Sequence, residues 1–166
     1  MASTFADWWD YKFEVYDAIP YNAAMLEQEG VVTTINSDDG EMGRRLNQEA
    51  AKSMKYGGLP DTEAIKLCTI NGAKQLGIDK YVGSLEKGKD ADIVLWDGDP
   101  LSAHSKVLQT WIDGRKYFDR DDERKNAEEL KRERAALVAK ILTDKTPATA
   151  AGKEPDKKQE SEKIDD

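Results

Sequence analysis

The chain has few of the residues that most often hold metals: its 166 residues include one histidine and one cysteine. A single cysteine excludes an internal disulfide framework and any cysteine-rich metal centre. Cys68 falls in an apolar helical pattern, where a buried and inert thiol is expected. Long apolar runs are missing as well, so no stretch suits a bilayer span. Residues 1–11 have no basic start and no continuous apolar stretch, and are not expected to act as a secretory signal. Basic residues are outnumbered, 25 Lys and Arg against 33 Asp and Glu, for a formal charge of −8. The lack of a basic stripe to neutralise phosphates argues against a general nucleic-acid binder. No G-x-S-x-G nucleophile elbow, P-loop or dinucleotide fingerprint is present. Gly83, Gly88 and Gly98 sit in strand and turn contexts that require no phosphate.

Apolar residues are scarce too, at 39% with 35% charged, against roughly 45–50% apolar in ordinary globular domains. The tail explains part of this. Residues 145–166 hold five lysines, six acids, Pro147 and Pro155, and one large aliphatic residue, Ile164. Such a segment buries too little to offset the entropy of ordering it, and disorder is the expectation.

What is present is unevenly placed. Residues 1–41 contain nine acids against Lys12 alone. A solvated surface and one wall of a cation-binding pocket both have that composition. Lys12 could hold a substrate carboxylate, but pairing with Asp10 or Glu14 is the expectation. Seven aromatics fall within residues 5–21, dense for a segment that usually frays, so they should be packed or line a pocket.

Periodicity divides the rest. Residues 22–29 read as a short helix ended by Gly30, and residues 31–35, VVTTI, as a β-strand running into N-S-D-D-G. Leu46, Ala50 and Met54 have helical spacing before Gly57-Gly58. Residues 61–68 form another helix, and Thr69 could cap a third that ends at Gly77. Strands are then expected at 81–85, 92–96 and 107–112, with a hairpin at Asp113-Gly114 returning through residues 115–118. A charged helix follows over about 121–142, with Leu130, Leu137 and Ile141 along one side and Arg134 interrupting them. This predicts an α/β chain with one α/β-layer strand and a separate antiparallel patch of three or four strands. A lone strand makes no sheet. Its partners lie in the aromatic front or on another polypeptide.

The candidate chemistry begins at Asp38 and Asp39. A carboxylate just past a strand's carboxyl end can hold a divalent cation or accept a proton from attacking water. An Asx turn or helix cap is the bland alternative. His104, beyond the D-G-D-P turn, reads as a surface loop residue.

The run VGSLEKGKDADIVLWDGDPLS, Val82 to Ser102, closely resembles the carboxyl-terminal signature of the amidohydrolase superfamily, in particular the imidazolonepropionase-like metal-dependent hydrolases. Gly83, Ser84, Leu85, Gly88, Ala91, Asp92 and Val94 match its G-S-L-x-x-G-x-x-A-D-x-V pattern. Residues 69–78, TINGAKQLGI, resemble the family's T-x-N-P-A-x-x-L-G-I, with Gly72 where proline is usual. TWIDGRKYFD resembles its closing hairpin. The resemblance implies the carboxyl-terminal part of a (β/α)8 barrel plus part of a small β-sandwich. Residues 1–80 would be the last barrel strand and helices, 81–119 sandwich, 120–144 a surface helix and 145–166 a tail. It implies that Ser37-Asp38 ends the eighth barrel strand, with Asp38 as metal ligand and proton shuttle. The implied activity is hydrolysis of non-peptide carbon–nitrogen bonds in small amides or cyclic amides by metal-activated water, with zinc the expected metal. Relatives also carry metal-binding histidines on earlier strands, which this sequence does not contain, and its front resembles the interior of longer relatives. The chain alone is therefore expected to be inactive and without tightly bound metal. The expected partners are a separately encoded amino-terminal barrel half or further copies of the chain; the alternative is a non-catalytic structural or interaction piece.

Overall fold

The computed structural model describes residues 1–144; the tail expected to be disordered lies outside the described residues. The chain divides into two compact units, Met1–Glu123 and one that starts at Arg124.

In the first unit, strand β1 (Ala2–Thr4) pairs in parallel with β2 (Thr33–Ile35) in the register Ala2–Thr33 to Thr4–Ile35. The aromatic front thus does hide one strand partner. Strand β2 starts two residues later than VVTTI suggests, because the Val31 N–H is drawn back onto Leu26 C=O at the end of helix α1 (Asn22–Gln28). All three β2 residues are buried. Helix α2 (Leu46–Gly57) follows a 3-10 turn at Met42–Arg45 and ends at Gly58, in the left-handed conformation expected of a glycine stop. The next predicted helix splits into α3 (Asp61–Ala64) and a 3-10 turn, Ile65–Cys68, before α4 (Ile70–Leu76). Thr69 does not cap α4: its hydroxyl donates to Ile65 C=O instead, 2.8 Å away.

The helices and β2 enclose a small core. Of its nine buried residues five are alanines (Ala6, Ala23, Ala24, Ala50 and Ala64), with Ile35, Leu59, Leu67 and Leu101 supplying bulk. Small side chains let the backbones approach closely. Leu101 belongs to the D-G-D-P-L turn, and Asn47 Nδ2 donates to Pro100 C=O at 2.5 Å, so that turn is fastened to the start of α2.

The expected strand at 81–85 is absent; these residues form turns. Gly83 is the reason. Its φ of +92° breaks an extended run, and a Cβ there would lie 2.9 Å from Ile70 Cα and 2.8 Å from Ala73 Cβ. The chain can pass over α4 only as glycine. A second, three-stranded antiparallel sheet follows in the order β3 (Ile93–Trp96), β4 (Val107–Ile112), β5 (Arg115–Asp119). Asp113 and Gly114, at φ +49° and +70°, make the hairpin turn whose twist suits adjacent strands.

Helix α5 (Arg120–Asp144) starts where Asp119 Oδ1 accepts from the Asp121 N–H at 3.0 Å. Lys116, burial working against it, and the amides at the helix start hold the Asp119 carboxyl down at about 2. Leu130, Leu137 and Ile141 are exposed.

Candidate functional site

The site is built where β2 ends. The bonds to β1 use Val32 and Asn36, with Ala2 N–H to Val32 C=O and Asn36 N–H to Thr4 C=O both 2.9 Å. The alternation of a parallel strand turns Thr33 to the opposite edge. Side chains meet it there. Thr33 N–H donates to Glu27 Oε1 at 2.7 Å, and Asn71 Nδ2 donates to Thr33 C=O at 2.9 Å and to the same Glu27 oxygen at 3.0 Å. Gln75 fastens α4 to both strands, donating to Ala2 C=O and accepting from the Thr34 hydroxyl.

Beyond Ile35 the chain turns sharply. Ser37 is buried; its hydroxyl donates to Asp39 C=O at 3.0 Å, and its own carbonyl accepts from Trp8 Nε1 at 3.0 Å. Asp38 follows at φ +49°, a conformation that aspartate tolerates better than most residues. Its side chain is exposed, and among the described residues it makes no hydrogen bond or ion pair. Asp39 takes the bland role: its Oδ1 accepts from Glu41 N–H at 2.9 Å and Met42 N–H at 2.8 Å, capping the turn into Met42–Arg45. The two neighbouring aspartates are therefore not equivalent. One holds the loop, and the other is presented to solvent.

Part of the acidic front is used structurally. Asp7 and Glu49 both bind Lys52; burial opposes the Lys52 charge, but these two carboxylates outweigh it and hold its pKa above the ordinary range. Glu27 serves Thr33, and Glu41 pairs with Arg44 at 3.6 Å in the open. Lys12 lies over the Tyr11 ring, 5.9 Å from its centroid, instead of on Asp10 or Glu14. The aromatics are only partly packed. Trp8 meets Tyr11 edge to face and Phe5 at a tilt, while Phe13 is 91% exposed. Burial pushes the Cys68 thiol up to about 11, in keeping with an inert sulfur. His104 is exposed and lines a separate cavity with Tyr56 and Leu101.

A hydrolytic zinc centre takes about three protein ligands, usually including imidazole. Among the described residues no group of three or more His, Cys, Asp or Glu is placed to hold a metal ion. Asp38 alone offers one carboxylate, so these residues do not make a complete metal centre.

Sequence reasoning singled out Asp38 as a candidate and gave no role to Trp8, Glu27 or Asn71, which hold the strand and loop beside it. Of these only Asn71 left a signal, as the asparagine of the T-I-N-G-A-K run.

Residues 21–138 match the model of the amidohydrolase family, and the chain belongs to that family. Among curated proteins it is 39% identical over 116 residues to the amidohydrolase tasK of Hapsidospora irregularis, covering 69% of this chain and 12% of that protein. It is 54% identical over 78 residues to a 5-methylthioadenosine/S-adenosylhomocysteine deaminase of Thermoanaerobacter pseudethanolicus, covering 47% of this chain and 15% of that one. A solved amidohydrolase from Thermotoga maritima superposes with a TM-score of 0.60 at 35% identity, over 66% of this chain and 28% of its own. The chain thus spans well under a third of the length of each of these relatives.

Proposed function

We propose that the chain contributes one catalytic group, Asp38, to a hydrolase acting on carbon–nitrogen bonds of small amides or cyclic amides. The observation that carries this reading is the exposed, unpartnered carboxylate at φ +49°, two residues beyond Asn36 at the carboxyl end of a buried parallel strand. Carboxyl ends of parallel strands are where α/β folds place their chemistry. A left-handed non-glycine residue at such an end is a reasonable sign of a functional constraint. Family membership supports the same reading, as does the match of Ser37-Asp38 to the family's Ser/Thr-Asp. In this reading β1 and β2 are two adjacent strands of a (β/α)8 barrel, and β3 to β5 are part of a β-sandwich. Asp38 accepts the proton of an attacking water and returns it to the leaving nitrogen. The divalent metal that the family implies, zinc above all, would need imidazoles from outside this chain, on a complementing barrel half or on other copies. The relatives' names span an amidohydrolase and a deaminase, so they point to no single substrate.

A second reading, a non-catalytic structural or interaction piece, is favoured by the exposed aromatic side chains of Tyr11, Phe13 and Tyr16. One experiment separates them. Metal content and hydrolysis of a panel of amides are measured for the chain alone and after mixing with a polypeptide that supplies the histidine-bearing strands. The first reading expects metal and turnover only in the mixture, and expects Asp38→Asn to keep the complex but lower the rate by roughly 10²–10⁴. A mixture that assembles and turns over equally well with Asp38→Asn would remove Asp38 from the chemistry. A complex without turnover would favour the non-catalytic piece. Stoichiometric zinc and turnover in the chain alone, both lost in Asp38→Asn, would point to ligands shared between its own copies.

A further inference from the structure

Away from the Asp38 loop, a cavity of about 670 Å³ lies between the 3-10 turn before α4, α4 itself and the loop that leads to β3. Its size is in the range of small-molecule sites, about 300–1,000 Å³, but its lining is unlike theirs, which is mostly apolar. Ile70 is the one large apolar side chain on its wall. Five lysines line it (Lys66, Lys74, Lys80, Lys87 and Lys89), with Asp79 and Glu86 as the only carboxylates. This concentration of positive charge stands on a chain whose formal charge is −8.

Internal pairing does not consume the excess. Glu86 is committed to Lys89 at 3.3 Å and accepts from the Ser84 hydroxyl at 2.5 Å. Lys89 also donates to Ser84 Oγ at 2.5 Å, and its side chain is 11% exposed, whereas Glu86 stands open to solvent. Lys66 pairs with Glu63 on its own turn at 2.7 Å, and Lys80 sits 4.7 Å above the Tyr81 ring. Lys74 and Lys87 make no ion pair among the described residues, although both border the cavity. With Lys89 paired to Glu86 and Lys66 to Glu63, three lysines, Lys74, Lys80 and Lys87, remain around the cavity against the single carboxylate of Asp79, so the wall keeps a net positive charge. An apolar ligand would strand these charges, whereas a compact multiply charged oxyanion would offer an acceptor to each.

We propose that this cavity binds a small phosphate-class oxyanion, such as a diphosphate group, with Lys74 and Lys87 as the principal ligands and Lys66 and Lys80 as flanking charges. The site is independent of Asp38, so it stands or falls apart from the hydrolase reading.

The test uses the full 166-residue chain and inorganic pyrophosphate, titrated by calorimetry at fixed ionic strength, with amide shifts followed in parallel. Saturable one-to-one binding is expected, with the largest shifts at Ser84, Gly88 and Lys89. The double variant Lys74→Gln/Lys87→Gln should weaken it on the order of tenfold or more, because near-surface charge pairs retain substantial Coulomb attraction. Lys12→Gln/Lys55→Gln removes the same charge elsewhere and should leave the affinity unchanged. Binding that is not saturable, equal weakening by the two double variants, or shifts scattered over the surface would each overturn the proposal. The shift map of the unaltered chain decides the matter even where a variant folds poorly.

Discussion

Asn71 does for Thr33 part of what a neighbouring strand would do. Thr33 is completely buried, and its outward N–H and C=O are met by Glu27 and Asn71. Asn71, itself 4% exposed, also donates to Glu27, so the three residues close one small polar network inside an alanine-lined core. Such a network is worth most when every member is satisfied. Asn71→Leu keeps a similar shape but leaves the Thr33 carbonyl without its donor, and should cost about 1–3 kcal/mol. Urea unfolding checks this as a lower midpoint at constant slope. Ser53 supplies the contrast, since its hydroxyl is fully buried with no hydrogen-bond partner among the described residues. Ser53→Ala should leave the midpoint unchanged or raise it. An Asn71→Leu chain as stable as the parent would mean that the strand edge does not depend on the network.

At the scale of elements, α1 and α2 meet through the smallest side chains available. Gly57, the last residue of α2, lies so close to α1 that a Cβ would approach Ala24 Cβ to 2.3 Å and Tyr21 Cβ to 3.2 Å. Helix propensity favours Gly57→Ala by about 1 kcal/mol. Overpacking opposes it by about 1–3 kcal/mol, and neither of these two Cβ atoms is the far end of a flexible chain that could swing away. The clash should win, giving a lower melting temperature, whereas an unchanged or raised one would show that the helices can separate cheaply. This position also marks the limit of what the sequence discloses. Gly57-Gly58 reads correctly as a helix stop, and the hairpin at Asp113-Gly114 and the helices at 22–28 and 46–57 are legible because their signals are local. The supposed strand at 81–85 was misread because Gly83 answers to α4, a partner that periodicity does not reveal. Strand β1 was hidden for a similar reason: Ala-Ser-Thr has no strand pattern of its own and is extended by pairing with β2. The Asp38 loop was legible as a strand followed by acids. The division of labour between Asp38 and Asp39 was not, since it depends on which carboxylate meets the amides of Glu41 and Met42.

For the molecule as a whole, the apolar surface left outside is as telling as the core. In the first unit Phe13 is 91% exposed, Tyr11 68% and Tyr16 67%, and the 3-10 turn Phe13–Val15 buries none of its residues. The second sheet is similar, with Ile93, Val94 and Leu95 all exposed in consecutive positions, so neither face of β3 is covered within the described residues. Scattered exposed apolar residues are ordinary, but contiguous ones mark surfaces that other polypeptide covers or that promote association. In the two-stranded sheet of β1 and β2, the outer edge of β1, where Ser3 is exposed, adds to the same hazard. The chain in isolation should therefore bind an environment-sensitive apolar dye and sediment above monomer mass, increasingly so as its concentration rises. Replacing Phe13 and Tyr16 together by serine should reduce both effects without lowering stability, because neither ring contributes to the buried cluster. A dye-silent chain that stays monomeric across the concentration range would mean that these aromatics are tolerated surface, and the argument for a covering partner would lose its physical basis.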